Sequence, residues 1–318
     1  MESCAVMYPI LNRKTIYEID VFETKLLALY YNISMRSRGI QDFTVILCCK
    51  NAASTIKLCI ESIRRAGAQN LIIVDGWSTD ETQEILKSLN EKFHLGAQRG
   101  LSYDCQIGID LCATEYAFFV DADHVIPIDF FSEMFLAYQS QGCDFLQSKL
   151  SIYEPKGAFN FGENEYYKHV HNIHWTKNMI GTSPSLFKVQ DLKTGGEWEF
   201  YSPSANVIGD TSWAKRTHDK GAIFHVGGPI VKQIHAPSAI SYFRKFKWYG
   251  QGDADFIIEN PNKSLGMFFH LAFRYPVIYG VVMLRHLSYR GFLFVVFQGY
   301  TRFYHCVRRL VLKLLNFA

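Results

Sequence analysis

The chain has 318 residues, of which 48% are hydrophobic and 20% charged. This balance permits a substantial core and excludes the polar, highly charged composition of a disordered protein. The net charge of +3 and the eight cysteines do not by themselves define a partner or a disulfide scaffold. No CxxC pair is present, and most of the central cysteines lie in or near apolar runs, so we expect reduced, buried thiols.

The regular part of the sequence follows a polar and aromatic extension, residues 1–41, in which residues 17–35 form a candidate helix. The predicted elements are, in order, a strand at 43–49, a helix at 53–66, a strand at 71–75, a helix at about 79–91 and a strand at 116–121. Strands that alternate with helices predict an α/β fold with a mostly parallel sheet flanked by helices.

Two of these strands end in aspartate, at Asp75 and Asp121. Ligands of open α/β sheets lie at the carboxyl ends of the strands, so both side chains are expected to face one crevice. Asp123 follows two residues after Asp121, and hard oxygen ligands at this spacing suit Mg²⁺ or Mn²⁺ bridging to phosphate oxygens. The alternative is a solvated turn in which one aspartate caps the next helix.

Four motifs within residues 43–255 resemble, in order, those of the inverting family 2 glycosyltransferases of the GT-A fold. They are the opening strand and loop at 43–51, the turn at 74–80, the Asp121-Ala-Asp123 motif and the Gly209-Asp210 pair. The resemblance implies a GT-A-like α/β domain that moves a sugar from UDP or GDP to an acceptor hydroxyl. It also implies a divalent metal cofactor, Mn²⁺ or Mg²⁺.

Carried over position by position, the resemblance assigns roles to single residues. Asp75 would contact the nucleobase and Asp121 the ribose or the metal. The implied donor-binding set is Lys50, Asn51, Asp75, Arg99 and Asp121. Asp123 would bind the metal, and His235 resembles a late histidine that completes the metal shell in such folds. Gly181 resembles a glycine loop that lines the acceptor side.

Some positions depart from the family pattern. Gly76 and Trp77 stand where the family often has Asp-Gly, and Cys105 and Gln106 replace a common Arg-Asn pair. Arg99 is close enough in sequence to grip phosphate in place of that arginine.

Asp210 would be the general base. Attack on the anomeric carbon from the face opposite the diphosphate requires a group that takes the acceptor's proton. The alternative role is an N-cap for the helix that follows, and one side chain could do both. Arg244, Lys247 and Trp248 lie in a stretch that resembles a Gln-x-x-Arg-Trp signature of processive polysaccharide synthases. They would approach the acceptor or the diphosphate; the alternative is a basic, aromatic surface helix.

The last 59 residues, 260–318, contain eight Lys and Arg and no Asp or Glu, so residues 1–259 carry −5. A basic segment rich in Phe, Tyr, Leu and Val suits an anionic membrane surface better than nucleic acid. Arg274 and Pro276 interrupt the apolar run at 265–284, which favours amphipathic helices lying on a membrane over a clean transmembrane helix. The alternative is packing onto the catalytic domain or into a dimer.

The sequence therefore predicts three segments: an extension at 1–41, a catalytic domain at 42–259 and a membrane-associating helical tail at 260–318. The expected partners are a nucleotide-sugar and a glycan or lipid-linked acceptor, without nucleic acid. The amino-terminal stretch has no basic start followed by an apolar run, which predicts a cytosolic chain at a membrane face. The alternatives are a nucleotidyltransferase and an inactive nucleotide-sugar-binding scaffold. The loop at 50–54 does not supply the glycine-rich phosphate loop that the former would need.

Overall fold

The computed structural model describes residues 42–173, 184–201 and 209–315. The candidate helix at 17–35 and Gly181 lie outside the described residues. The strands are β1 (Phe43–Cys49), β2 (Asn70–Asp75), β3 (His94–Leu95), β4 (Tyr116–Phe119), β5 (His124–Val125), β6 (Phe145–Ile152), β7 (Ser185–Lys188) and β8 (Phe224–Gln233). The α-helices are α1 (Ile56–Arg65), α2 (Thr82–Ser88), α3 (Leu101–Leu111), α4 (Phe130–Gln141), α5 (Gly157–Tyr166), α6 (Gly209–Asp219), α7 (Ala239–Glu259), α8 (Ser264–Phe269), α9 (Gly280–Arg285) and α10 (Tyr289–Leu315).

The eight strands form one sheet in the order β3-β2-β1-β4-β7-β6-β8-β5. Strands β1 to β4 pair in parallel, as predicted. Beyond β4 the sheet is mixed, because β7 runs antiparallel between β4 and β6, and β5 runs antiparallel to β8. The α/β fold is confirmed. Strand direction in the second half could not be predicted, since hydrophobic periodicity carries no information on which strands pair.

The parallel half is covered on both faces, which explains its nearly continuous apolar strands. Along β1, Val45, Ile46 and Leu47 are all fully buried. Val45 and Leu47 pack into one hydrophobic cluster and Ile46 into another on the opposite face. The seven cysteines among the described residues are free thiols, and six of them are buried. Burial raises the pKa of the Cys143 thiol to about 11, so it stays protonated.

The carboxy-terminal helices pack back onto α7. Gly250 lies so close to α10 that a Cβ there would be 2.4 Å from the Arg302 carbonyl oxygen. Arg302 pairs with the buried Asp253 at 2.7 Å, and Arg309 pairs with Asp255 at 2.9 Å. A shared hydrophobic cluster contains Ala254, Phe256, Ile257, Met267, Leu271 and Cys306. Residues on both sides of position 259 thus contribute to one core, and part of the tail's positive charge is neutralised by acids of α7.

Candidate active site

The loops after β1 and β2 are hydrogen-bonded to each other at the carboxyl edge of the sheet. The Asn51 backbone N–H donates to Ser78 Oγ at 2.8 Å, and Asn51 Oδ1 accepts from the Thr79 N–H at 2.8 Å. The Ala53 N–H donates to Asp80 Oδ2 at 3.1 Å. These bonds fix the backbone of the predicted donor-binding loops before any ligand arrives.

Asp75 ends β2 and is fully buried. Its carboxylate accepts hydrogen bonds from the Ser78 N–H (3.0 Å), the Ser78 hydroxyl (2.5 Å) and Gln83 Nε2 (2.6 Å). The side chain therefore holds the turn that follows β2. Its predicted contact with a nucleobase stays a prediction.

Three exposed side chains surround this turn. Lys50 follows β1, and Arg99 lies in the loop after β3 with its guanidinium 4.9 Å from the Tyr103 ring centroid. Trp77 has a left-handed backbone, with φ of 61°, and its Nε1 donates to the Gly96 carbonyl at 2.6 Å. The two cations are thus available to phosphate oxygens at the edge where the donor is predicted to bind.

Asp121, Asp123 and His124 place their ligand atoms within 4.8 Å of one another just beyond β4. Asp123 Oδ2 accepts from Gln233 Nε2 at 3.0 Å. Asp123 Oδ1 is closed off from solvent and has no hydrogen-bond donor among the described residues. A buried anionic oxygen without a donor is costly unless a cation satisfies it. The donor set therefore fits a hard divalent ion.

His124 supports this turn. Burial lowers the pKa of His124 to about 4, so the ring is neutral. Its Nδ1 accepts a hydrogen bond from the Asp121 backbone N–H at 3.2 Å. While that bond persists, Nδ1 is unavailable to a metal. We interpret His124 as a residue that holds Asp121 and Asp123 on one side of the turn. Sequence reasoning gave it no role.

His235 reaches the same cluster from the segment after β8. Its Nε2 lies 3.7 Å from Asp123 Oδ2, and its Nδ1 lies 2.6 Å from Glu163 Oε2. The first distance is too long for a hydrogen bond but suits two ligands of one ion, each at about 2.0–2.2 Å from the metal. The structure thus places Asp123 beside two other predicted metal ligands, with Asp121 in the same turn and His235 across from it.

The comparison with known families decides the class of enzyme. Residues 44–199 match the model of glycosyl transferase family 2. These residues form a family 2 glycosyltransferase domain. The chain is a glycosyltransferase with a nucleotide-sugar-binding domain, as the sequence motifs predicted. No curated protein sequence matches this chain significantly.

Two solved structures resemble this glycosyltransferase in fold. One is glucosyl-3-phosphoglycerate synthase from Mycobacterium tuberculosis in complex with Mg²⁺ and uridine diphosphate, with a TM-score of 0.50 and 13% identity over 71% of this chain and 82% of the synthase. The other is TarS 1-349 from S. aureus in complex with UDP-GlcNAc, with a TM-score of 0.50 and 12% identity over 86% of this chain and 92% of TarS. At such identities the likeness shows the GT-A-like fold alone.

The glycosyltransferase's helix α6 begins at Gly209, so the backbone of Asp210 lies in its first turn. The helix is anchored by Trp213, which is 2% exposed and donates through Nε1 to the Trp198 carbonyl at 3.0 Å. Ser212 Oγ donates to a carboxylate oxygen of α7 at 3.1 Å. The helix begins one residue before Asp210, so Asp210 lies within its first turn and not at the N-cap position of the alternative role. The base role of Asp210 stays a prediction.

The residue of helix α7 that contacts the metal cluster is not one of the three that the sequence analysis named. Arg244, Lys247 and Trp248 are exposed, and no contact described for them reaches the metal cluster. Their role at the acceptor stays a prediction. The cation that α7 brings to the site is Lys245, whose Nζ lies 3.0 Å from Glu163 Oε1 and 3.2 Å from a ring nitrogen of His235.

Proposed function

We propose that this glycosyltransferase moves a sugar from UDP or GDP onto an acceptor hydroxyl by a single inverting displacement with a bound Mn²⁺ or Mg²⁺. The observation that supports this most is that Asp123 lies beside both Asp121 and His235 at the carboxyl edge of a family 2 domain. The bound metal would offset the negative charge that develops on the departing diphosphate.

The protein's own groups have separate tasks in this reaction. Asp123 and His235 would hold the metal, and the exposed Asp121 lies beside Asp123. Lys50 and Arg99 lie exposed on the loops after β1 and β3, where they can bind diphosphate oxygens. The hydrogen-bonded loops keep these groups in place, which reduces the entropy lost when the donor is ordered.

Asp210 takes the proton of the acceptor hydroxyl as the oxygen attacks. The backbone of Asp210 lies in the first turn of α6, a helix anchored by Trp213. An ionised carboxylate is the form that a general base requires.

Donor binding and product stereochemistry test this proposal. We expect one class of nucleotide-sugar, with Mn²⁺, to raise the melting temperature, because a ligand of the native state stabilises it. UDP-sugars are the first donors to screen, since both structural neighbours hold a uridine nucleotide. NMR of the product should show an anomeric configuration opposite to that of the donor. A retained configuration would exclude the inverting mechanism, and donor binding without any transfer would favour the scaffold alternative.

We further propose that the enzyme works on a lipid-linked acceptor at the cytosolic face of an anionic membrane. Among the described residues, the helical stretch Pro261–Arg285 is the one long and apolar enough to cross a membrane. One side of it packs on α10, where Gly299 meets Pro276. The other side exposes a stripe of large apolar side chains at Leu265, Phe269, Phe273, Val277, Val281 and Leu284.

An apolar stripe beside cations suits a lipid surface rather than a protein partner of mixed charge. Lys263, Arg285, Arg290 and Arg308 are exposed on the same helices. Because one side of this stretch packs on α10, we expect the stretch to lie on the membrane. If it crossed the membrane, it would carry α10 and its charged side chains into the lipid.

Vesicle binding by the full chain tests the membrane proposal. We expect the wild type to co-sediment with vesicles that contain phosphatidylglycerol, and less so as salt screens the cations. Replacing both Phe269 and Phe273 by aspartate should abolish most of this binding. Leu136→Asp, at an equally exposed apolar residue of α4, should leave it intact. Equal binding by all three proteins would remove the proposal. Truncation at residue 259 is unsuitable because the tail shares a core with α7.

A further inference from the structure

Glu163 lies on α5 and is 3% exposed, outside every motif recognised in the sequence. Three donors surround its carboxylate: His235 Nδ1 at 2.6 Å, the Tyr242 hydroxyl at 2.6 Å and Lys245 Nζ at 3.0 Å. A buried carboxylate needs such compensation, and here one of the donors is a predicted metal ligand.

Glu163 and Lys245 form an ion pair with 3.0 Å between Oε1 and Nζ. Both partners also contact the His235 ring, Glu163 Oε2 at 2.6 Å from Nδ1 and Lys245 Nζ at 3.2 Å from Nε2. The predicted metal ligand His235 therefore lies against one acidic and one basic side chain.

The hydrogen bond to Glu163 sets the tautomer of the His235 ring. With Nδ1–H donating to the Glu163 carboxylate, the Nε2 lone pair is on the side of Asp123, 3.7 Å from its Oδ2. Lys245 Nζ lies 3.2 Å from the same Nε2. Nζ is also 3.3 Å from Nδ1, so the ammonium charge lies beside the whole ring and would repel a cation bound at Nε2.

We propose that Glu163 and Lys245 set the divalent-cation affinity of the Asp123–His235 pair in opposite directions, Glu163 as a positioning residue and Lys245 as a competing cation. This inference rests on the proposed metal-dependent function. A carboxylate behind a ligating histidine orients the ring and raises its basicity, and its loss costs about 10–100-fold in metal affinity. An ammonium group beside the ligand atoms repels a dication, so its removal strengthens binding.

The test is Mn²⁺ affinity, measured on the full chain without donor by the electron paramagnetic resonance of free Mn²⁺. Glu163→Gln should weaken Mn²⁺ binding about 10–100-fold. Lys245→Met keeps the aliphatic stem and should strengthen it up to about tenfold. The proposal predicts changes of opposite sign in Mn²⁺ affinity for the two variants. Both substitutions disturb the same buried ion pair, so a purely structural role would lower stability in both and leave Mn²⁺ affinity unchanged.

Asp253→Asn provides a matched control. Asp253 is 1% exposed, belongs to the same helix as Lys245 and forms a buried ion pair with Arg302. Its loss should lower the melting temperature and leave Mn²⁺ affinity unchanged. If Glu163→Gln behaves in the same way, or if Lys245→Met fails to strengthen binding, the inference is overturned. Lys245→Met decides alone if Glu163→Gln does not fold. A wild type that binds no Mn²⁺ would overturn the metal assignment itself, which separates the two failures.

Discussion

Asp210→Asn is expected to lower the turnover of sugar transfer by about a hundredfold to ten-thousandfold, the range that general-base catalysis contributes. Asparagine has nearly the size of aspartate and a similar helix propensity, so α6 should still begin at Gly209. What the variant loses is proton affinity at the acceptor oxygen. Donor binding, measured by thermal shift with Mn²⁺, should survive because the donor loops lie after β1 and β2.

A second acid on the same helix serves as the control for this effect. Asp219 ends α6, forms an exposed ion pair with Lys215 and lies nine residues from Asp210. Asp219→Asn should keep near-normal turnover, since exposed pairs contribute little to stability. Near-normal turnover of Asp210→Asn would show instead that Asp210 is not the general base.

The first half of the fold could be predicted because its signals are local. An apolar run of seven residues corresponds to β1, and the runs before Asp75 and Asp121 correspond to β2 and β4. Parallel pairing follows from strand and helix alternation, and it places the ends of these strands at one edge. The metal cluster was within reach of sequence reasoning for this reason.

The groups behind the metal cluster could not be predicted from motifs. Glu163 comes from α5 and Gln233 from the end of β8, and nothing in their local sequence shows that they meet Asp123 or His235. Such contacts depend on the mixed half of the sheet, whose pairing is non-local. Lys245 is a partial exception, because it lies three residues after the buried Tyr242 on α7, and helical spacing puts both on one face.

The charge of the tail shows another limit of sequence counting. Eight cations without acids after residue 259 predicted a basic, membrane-associating tail. In the fold, Arg302, Arg309 and Lys313 pair with Asp253 and Asp255 of α7. A sum over a segment cannot reveal partners that lie outside it. Part of the tail's positive charge is therefore neutralised within the fold.

Asp123→Ala should reduce sugar transfer by about a thousandfold or more, because a bound metal contributes several kcal/mol of charge stabilisation in the transition state. The folded state should tolerate the change, since Asp123 Oδ1 has no hydrogen-bond donor among the described residues and only the bond from Gln233 is lost. Removing divalent ions from the wild type with excess chelator should have the same effect, and added Mn²⁺ or Mg²⁺ should restore the wild type alone.

The control for this prediction is Glu115→Ala. Glu115 forms an exposed ion pair with Lys188, 3.6 Å away, just before β4 begins and therefore at the opposite end of the strand from Asp121. Its loss should change neither turnover nor Mn²⁺ dependence. Asp123→Ala combined with chelation should be no slower than either change alone, because both remove the same ion and their effects on the transition state are then not additive. Full activity of the wild type in excess chelator would show that this glycosyltransferase stabilises the departing diphosphate with its own cations.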